Sequence, residues 1–279
     1  MPRRMLTLLA ALAVVIAACS SGSAGTPVPT DPTAILAATV TSLQNVKSVH
    51  YKVAVSGSVN TGGLLGGAGA SPDPSASGAS LDLSGTTIEG DVDVANSAGT
   101  VTATVPAMLN LTANVIVVGG VAYIKTSLTG AQYQKLDPST LTGMLPIPSA
   151  AAGGSAAPEA SAALSDLQAA LAKLPPPTQL ADETVNGQDC HHIQVKVSST
   201  DVPLASGALD GLSGNATVDV WSQKSDGRPS RLVVAVDGGS QGTISLTVDL
   251  TNYDAAVTIA APPADQVSDQ PFTIPGLGQ

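Results

Sequence analysis

The chain has 279 residues, a formal net charge of −10, 43% hydrophobic residues and only 11% charged ones. An acidic body of this kind excludes nucleic acid as a partner and argues against electrostatic adhesion to anionic lipid headgroups. With one Trp, one Phe and four Tyr in the whole chain, the interior has to be built from Ala, Val, Leu and Ile.

The chain opens with Arg3 and Arg4, an apolar run from Met5 to Ile16, then Ile16-Ala17-Ala18-Cys19. Charge, a short apolar stretch and small residues before a cut point form a secretory signal, too short for a spanning helix. A cysteine directly after the cut is the lipobox arrangement, with Cys19 as the residue that takes the lipid. Residues 1–18 thus read as a lipoprotein signal peptide and 19–32 as a lipidated, flexible tether. At random-coil dimensions the tether reaches about 20 Å. Losing Arg3 and Arg4 with the signal leaves the body more acidic still. The expected location is the cell membrane, lipid-anchored on the extracytoplasmic side, since two or more acyl chains make attachment durable.

Asp31-Pro32-Thr33 then leads into a helical pattern over about 33–47, with Ile35, Leu36, Val40 and Leu43 on one stripe. From Tyr51 the period changes to two: Val53, Val55 and Val59 alternate with Lys52, Ser56 and Ser58. The alternation returns at 87–94, 100–105 and 193–197. It returns again at 218–220, 232–236 and 244–250, and residues 114–126 read as a hairpin turning at Gly119-Gly120. Roughly ten strands with one polar face predict a large antiparallel sheet, solvated outside. Segments 138–145 and 160–174 read as further helices, the second with Leu164, Leu167, Leu171 and Leu174 on one stripe. The class is α+β, with helices segregated to one face. Stretches 66–80 and 146–159 are Gly/Ala/Ser/Pro-rich insertions in a domain of 33–266, and 267–279 is expected to trail off.

Chemistry is sparse. With Cys19 taken, Cys190 is either free or paired between molecules, and no internal disulfide forms. Asp189-Cys190-His191-His192 looks like a metal or thiol site, but adjacent histidines on a strand point to opposite faces. Glu89, Asp91 and Asp93 share one strand face and read as its solvated side rather than as a catalytic carboxylate pair. Trp221 alternates with Val218 and Val220 and is expected on the outer face or at a rim. No phosphate loop and no nucleophile elbow occur in the chain. No cofactor and no catalysis are expected.

Taken together, SVHYKVAVSG, IEGDVDVANSAGTV, NVIVVGGVAYIKT, YQKLDPSTL, DETVNGQDCHHIQVKV and TISLTVDLTNYDAAVTIAAPP resemble the LppX/LprA/LprF/LprG family of actinobacterial lipoproteins. The resemblance covers about 40–60 and 85–263. It implies a strongly curved antiparallel half-barrel with helices on its concave face, similar to periplasmic lipoprotein carriers, and a hydrophobic cavity for acyl chains. By strand phase and match to that family, the wall residues are Val53, Val55, Val59, Val92, Val94, Val115, Val117, Ile193, Val195, Val218, Val220, Leu232 and Val234. Leu164, Leu167 and Leu171 close the pocket from the helix side.

The implied function is binding and carriage of an acylated lipid or glycolipid within the envelope, with an envelope transporter as a further partner. The alternative is a non-enzymatic sensor or assembly lipoprotein with a filled core that binds a partner protein.

Overall fold

Alternation of period two builds almost everything that follows the first helix. The computed structural model describes residues 29–60, 80–136, 173–198 and 214–268, and from Asp31 onward the chain forms one compact unit. Helix α1 (Pro32–Ser42) starts where Pro32 has no N–H to lose and Asp31 Oδ1 accepts from the Ala34 N–H at 2.9 Å. It closes in a short turn over Leu43–Asn45, a few residues before the expected end.

The strands are β1 (Ser48–Asn60), β2 (Ser80–Asp82), β3 (Thr86–Asp93), β4 (Ala98–Val105) and β5 (Leu111–Val118). They continue with β6 (Val121–Thr126), β7 (Tyr133–Leu136), β8 (Thr178–Gln179), β9 (Glu183–Val185) and β10 (Gln188–Ser198). The last are β11 (Asn215–Gln223), β12 (Pro229–Asp237), β13 (Gly242–Thr251) and β14 (Val267–Ser268).

All fourteen belong to one sheet, in the order β14-β7-β6-β5-β4-β3-β1-β13-β12-β11-β10-β8, with β2 on β1 and β9 on β10. The sheet is open and curved, and every pairing is antiparallel except β14 with β7. Gly119 and Gly120, both at positive φ, make the expected β5–β6 turn. Gly57 sits inside β1 at φ +113, and a Cβ there would lie 2.1 Å from the Thr243 carbonyl oxygen. Only glycine permits this φ and this close approach.

Two expectations change. Val267–Ser268, placed at the start of a trailing tail, instead pairs in parallel with Tyr133–Gln134. The described body is mostly sheet with one short helix, because the expected helices 138–145 and 160–172 lie outside the described residues. Lys173 and Leu174 form a turn rather than a helix end, although Leu174 packs on the core. The signal, the tether up to residue 28, insertion 146–159, most of 66–80 and residues 269–279 are also outside them. No helix among the described residues is long and apolar enough to cross a membrane.

Candidate functional site

Register places the side chains. Following paired residues from β4 to β10, one row reads Ala103, Ile88, Val53, Val248, Leu232, Val220, Ile193. Seven strands thus contribute seven apolar side chains to one line on one face. One residue along each strand, the row on the other face reads Thr102, Glu89, Lys52, Asp249, Arg231, Trp221, His192. The sheet has an apolar inner face and a polar outer face.

The inner face is packed at its flanks. On one side α1 lays Leu36 into a cluster with Val59, Val195, Val220 and Val234, and Val195 is only 1% exposed. On the other, Val101, Val115, Val117, Ala122 and Ile124 form a second cluster, against which Tyr51 and Ile88 pack. Between them, Val53, Val55, Val248 and Leu250 are half-buried and belong to neither cluster. This central strip is an apolar floor that the described residues leave partly open.

Most of the residues singled out in the sequence lie on that face. Val59, Val115, Val117, Ile193, Val195, Val220 and Val234 are buried, and Val53, Val55, Val92, Val218 and Leu232 are half-buried. Val94 lies past the end of β3, in a turn, where its N–H donates to the Lys47 carbonyl at 2.8 Å. Leu164, Leu167 and Leu171 are outside the described residues. The sequence reading missed the β13 residues Val248 and Leu250. The alternation in 244–250 marks a strand, but nothing local says that β13 pairs with β1, nearly two hundred residues earlier. Tyr51 also faces inward, and burial, with Asp91 nearby, pushes its phenol up to about 12.

The outer face is finished by its own partners. His50 Nδ1 lies 3.0 Å from Asp91, Lys52 Nζ lies 3.5 Å from Glu89, and Arg231 Nε donates to Asp249 Oδ1 at 2.7 Å. Asp93 departs from the solvated role expected of it: it is buried and accepts from the Asn96 N–H and side-chain amide, capping the β3–β4 turn. Trp221 lies on the outer face, as expected, yet it is buried there. Its ring stacks on His192 at 4.1 Å, and its Nε1 donates to Glu183 Oε2 at 3.1 Å. His192 is held between Glu183 Oε1 at 3.2 Å and Asp219 Oδ1 at 2.8 Å. His191 points the other way and pairs with Asp182.

Cys190 is free and buried, and that burial raises its pKa and keeps it a thiol. Among the described residues no three His, Cys, Asp or Glu groups are arranged to hold a metal ion. A depression of about 460 Å³ opens on the outer face over Ser56, Thr217, Ala235, Thr243 and Ser245. Its lining mixes small Ser, Thr, Gly and Ala residues with Val236 and Ile244, and it lies on the face away from the apolar row.

No family model and no curated protein matches the chain. Among solved structures, it is similar to LprF from Mycobacterium bovis at 17% identity, covering 83% of this chain and 96% of that one with a TM-score of 0.53. Lipoprotein LppX from Mycobacterium tuberculosis matches at 15% identity over 82% of this chain and 98% of that one, with a TM-score of 0.49. A LolA superfamily protein from Nitrosomonas europaea matches at 14% identity over 85% and 97%, with a TM-score of 0.27. This chain has the fold of LprF, an open, curved antiparallel sheet as the resemblance implies; the further helices implied for its concave face lie outside the described residues.

Proposed function

We propose that this chain is an envelope lipoprotein, attached through Cys19, that binds the acyl chains of a lipid or glycolipid on its inner face and carries them within the envelope. The observation that carries the reading is the row from Ala103 to Ile193: uninterrupted apolar side chains, packed at both flanks and half-open at Val53 and Val248. A sixteen-carbon chain leaving a bilayer for water faces roughly 13 kcal/mol, at about 0.8 kcal/mol per methylene. A dry apolar floor removes that penalty without acid, base or metal. The fold shared with LprF supports the same reading, and the helices expected over the concave side would complete the enclosure. Carriage, rather than storage, follows from the tether, which keeps the body within about 20 Å of its membrane.

Native mass spectrometry of the mature chain, with organic extraction of what is bound, tests this directly. A discrete added mass that extracts as an acylated lipid is expected, and Val53→Trp should abolish it by filling the open strip. A clean apo mass with no uptake from a lipid mixture would overturn the reading.

A further inference from the structure

The β4–β5 and β6–β7 turns are neighbours at one end of the sheet. The Ser127 N–H donates to the Thr112 carbonyl at 2.9 Å, and the Thr112 N–H donates to Ser127 Oγ at 3.2 Å. Their tips carry Leu109, 94% exposed, and Leu128, 60% exposed. Among the described residues these are the two most exposed large apolar side chains; the next, Leu180, is 38% exposed. Neither turn, Pro106–Asn110 nor Ser127–Gln132, contains a charged residue. In an acidic chain, this is an uncharged point.

Leu109 also holds its backbone at φ 57, in the left-handed region. A branched apolar residue is strained there. Leu109 gains no packing in return, since it stands almost wholly in water. A strained apolar side chain that the fold does not reward points to something outside the fold.

The path of α1 indicates what that is. Its last turn is pinned at the opposite end of the sheet, Thr39 Oγ1 donating to Ser222 Oγ at 2.8 Å and Ser42 Oγ to the Gly227 carbonyl at 3.2 Å. Three residues before Thr39, Leu36 packs into the cluster that runs along the strands from Val220 through Val195 and Val234 to Val59, Val197 and Val236. Asp31, the N-cap of α1, lies at the end of the helix away from these anchors. In the sequence, residues 20–30 connect Asp31 to Cys19, the residue proposed to carry the lipid. Along β5, Ala113 and Leu111 continue the inner face outward to the same tip.

We propose that these two turns form a bilayer-docking surface, with Leu109 and Leu128 entering the interfacial region of the leaflet to which the tether leads. Docking of this kind needs apolar area and no headgroup charge, which suits an acidic protein. The docking rests on the attachment through Cys19 in the proposed function and not on the acyl-binding part; only its use as the place where a lipid passes to the inner face rests on the latter.

The test uses the chain from Ser20 onward, which lacks the signal and the lipidated cysteine, with zwitterionic phosphatidylcholine vesicles in a co-sedimentation assay at millimolar lipid. The parent is expected to partition onto vesicles equally in low and high salt. Leu109→Ser and Leu128→Ser should each lower the partition coefficient about tenfold, the effect of about 1.4 kcal/mol. The double variant should fall to background, while Leu180→Ser binds as the parent and all melt alike. A parent that does not partition, or variants that partition equally, overturns the proposal. Uptake of detergent-solubilised lipid is measured in parallel. Loss of vesicle binding with uptake retained confirms docking by these leucines, and vesicle binding without uptake defeats the acyl reading alone.

Discussion

Two rows of side chains run across the same seven strands, one residue apart, and they are finished to different degrees. On the outer row, Lys52 has Glu89, Arg231 has Asp249, and His192 has Asp219 and the Trp221 ring. On the inner row, Ala103, Val220 and Ile193 are buried, whereas Val53, Val248 and Leu232 are half-buried. Polar groups are satisfied one pair at a time, so a sheet face can complete them from its own strands. Apolar surface is satisfied only by a second layer, and the middle of this face is where the described layer is thinnest. The difference is why the proposed site is assigned to the face that the sheet cannot finish alone.

The largest effect expected comes from adding a side chain at Gly57 of β1, a central strand of both rows. Gly57→Val would drive its side chain into the Thr243 carbonyl and demand φ +113 of a branched residue. Loss of more than about 4 kcal/mol, or failure to fold, is expected in urea titration. A stable variant would mean that Gly57 does not hold a positive φ against the Thr243 carbonyl. Next comes the contrast within the inner row. Val195→Trp overpacks a cluster position and should cost about 1–3 kcal/mol of stability. Val53→Trp, in the open strip, should leave the melting temperature within a degree or two and remove lipid uptake. Equal destabilisation of the two would erase the distinction between packed flank and open floor.

Much of this was legible in the sequence. Alternation alone identified β1, β3, β4, β10, β11, β12 and β13, and Asp31-Pro32 marked the start of α1, because period and capping are local signals. The pairing of β1 with β13 was not legible, since register between distant strands leaves no local trace. The open strip at Val53 and Val248 therefore emerged only with topology. β2, β8, β9 and β14 have two or three residues each, too few to show a period. Asp93 was misjudged for a related reason: its strand phase is that of Glu89 and Asp91, but as the last residue of β3 it caps a turn. The exposure of Leu109 was invisible too, because Pro106-Ala107-Met108 reads as an ordinary connection.

A smaller effect is expected from the outer face. Trp221→Phe keeps the stack on His192 but removes the donor to Glu183, leaving that carboxylate one partner short. About 1 kcal/mol should be lost in thermal or urea unfolding. Lipid uptake should be unchanged, since Trp221 has no place on the inner face. Loss of uptake here would show that the two faces are not independent.

The smallest effect is confined to alkaline pH and concerns whether the inner face is dry. Tyr51 lies in the inner phase of β1, and burial pushes its phenol from 10.0 up to about 12. Below pH 10 the phenol is neutral in both folded and unfolded chains, and its contribution to stability is fully present. Between 10 and about 12 the unfolded chain ionises first, so that contribution is lost as pH rises through this window. Tyr253, also raised by burial, adds a loss of the same sign, but it is common to parent and variant. Tyr51→Phe should therefore change stability little at pH 7, because its bond to the Thr100 carbonyl is long at 3.4 Å. Its curve should be flatter than the parent's from pH 10 to 12 in urea titrations at stepped pH. Parallel curves would mean that water reaches the Tyr51 hydroxyl, and a hydrated inner face would offer an acyl chain no advantage over the outer one.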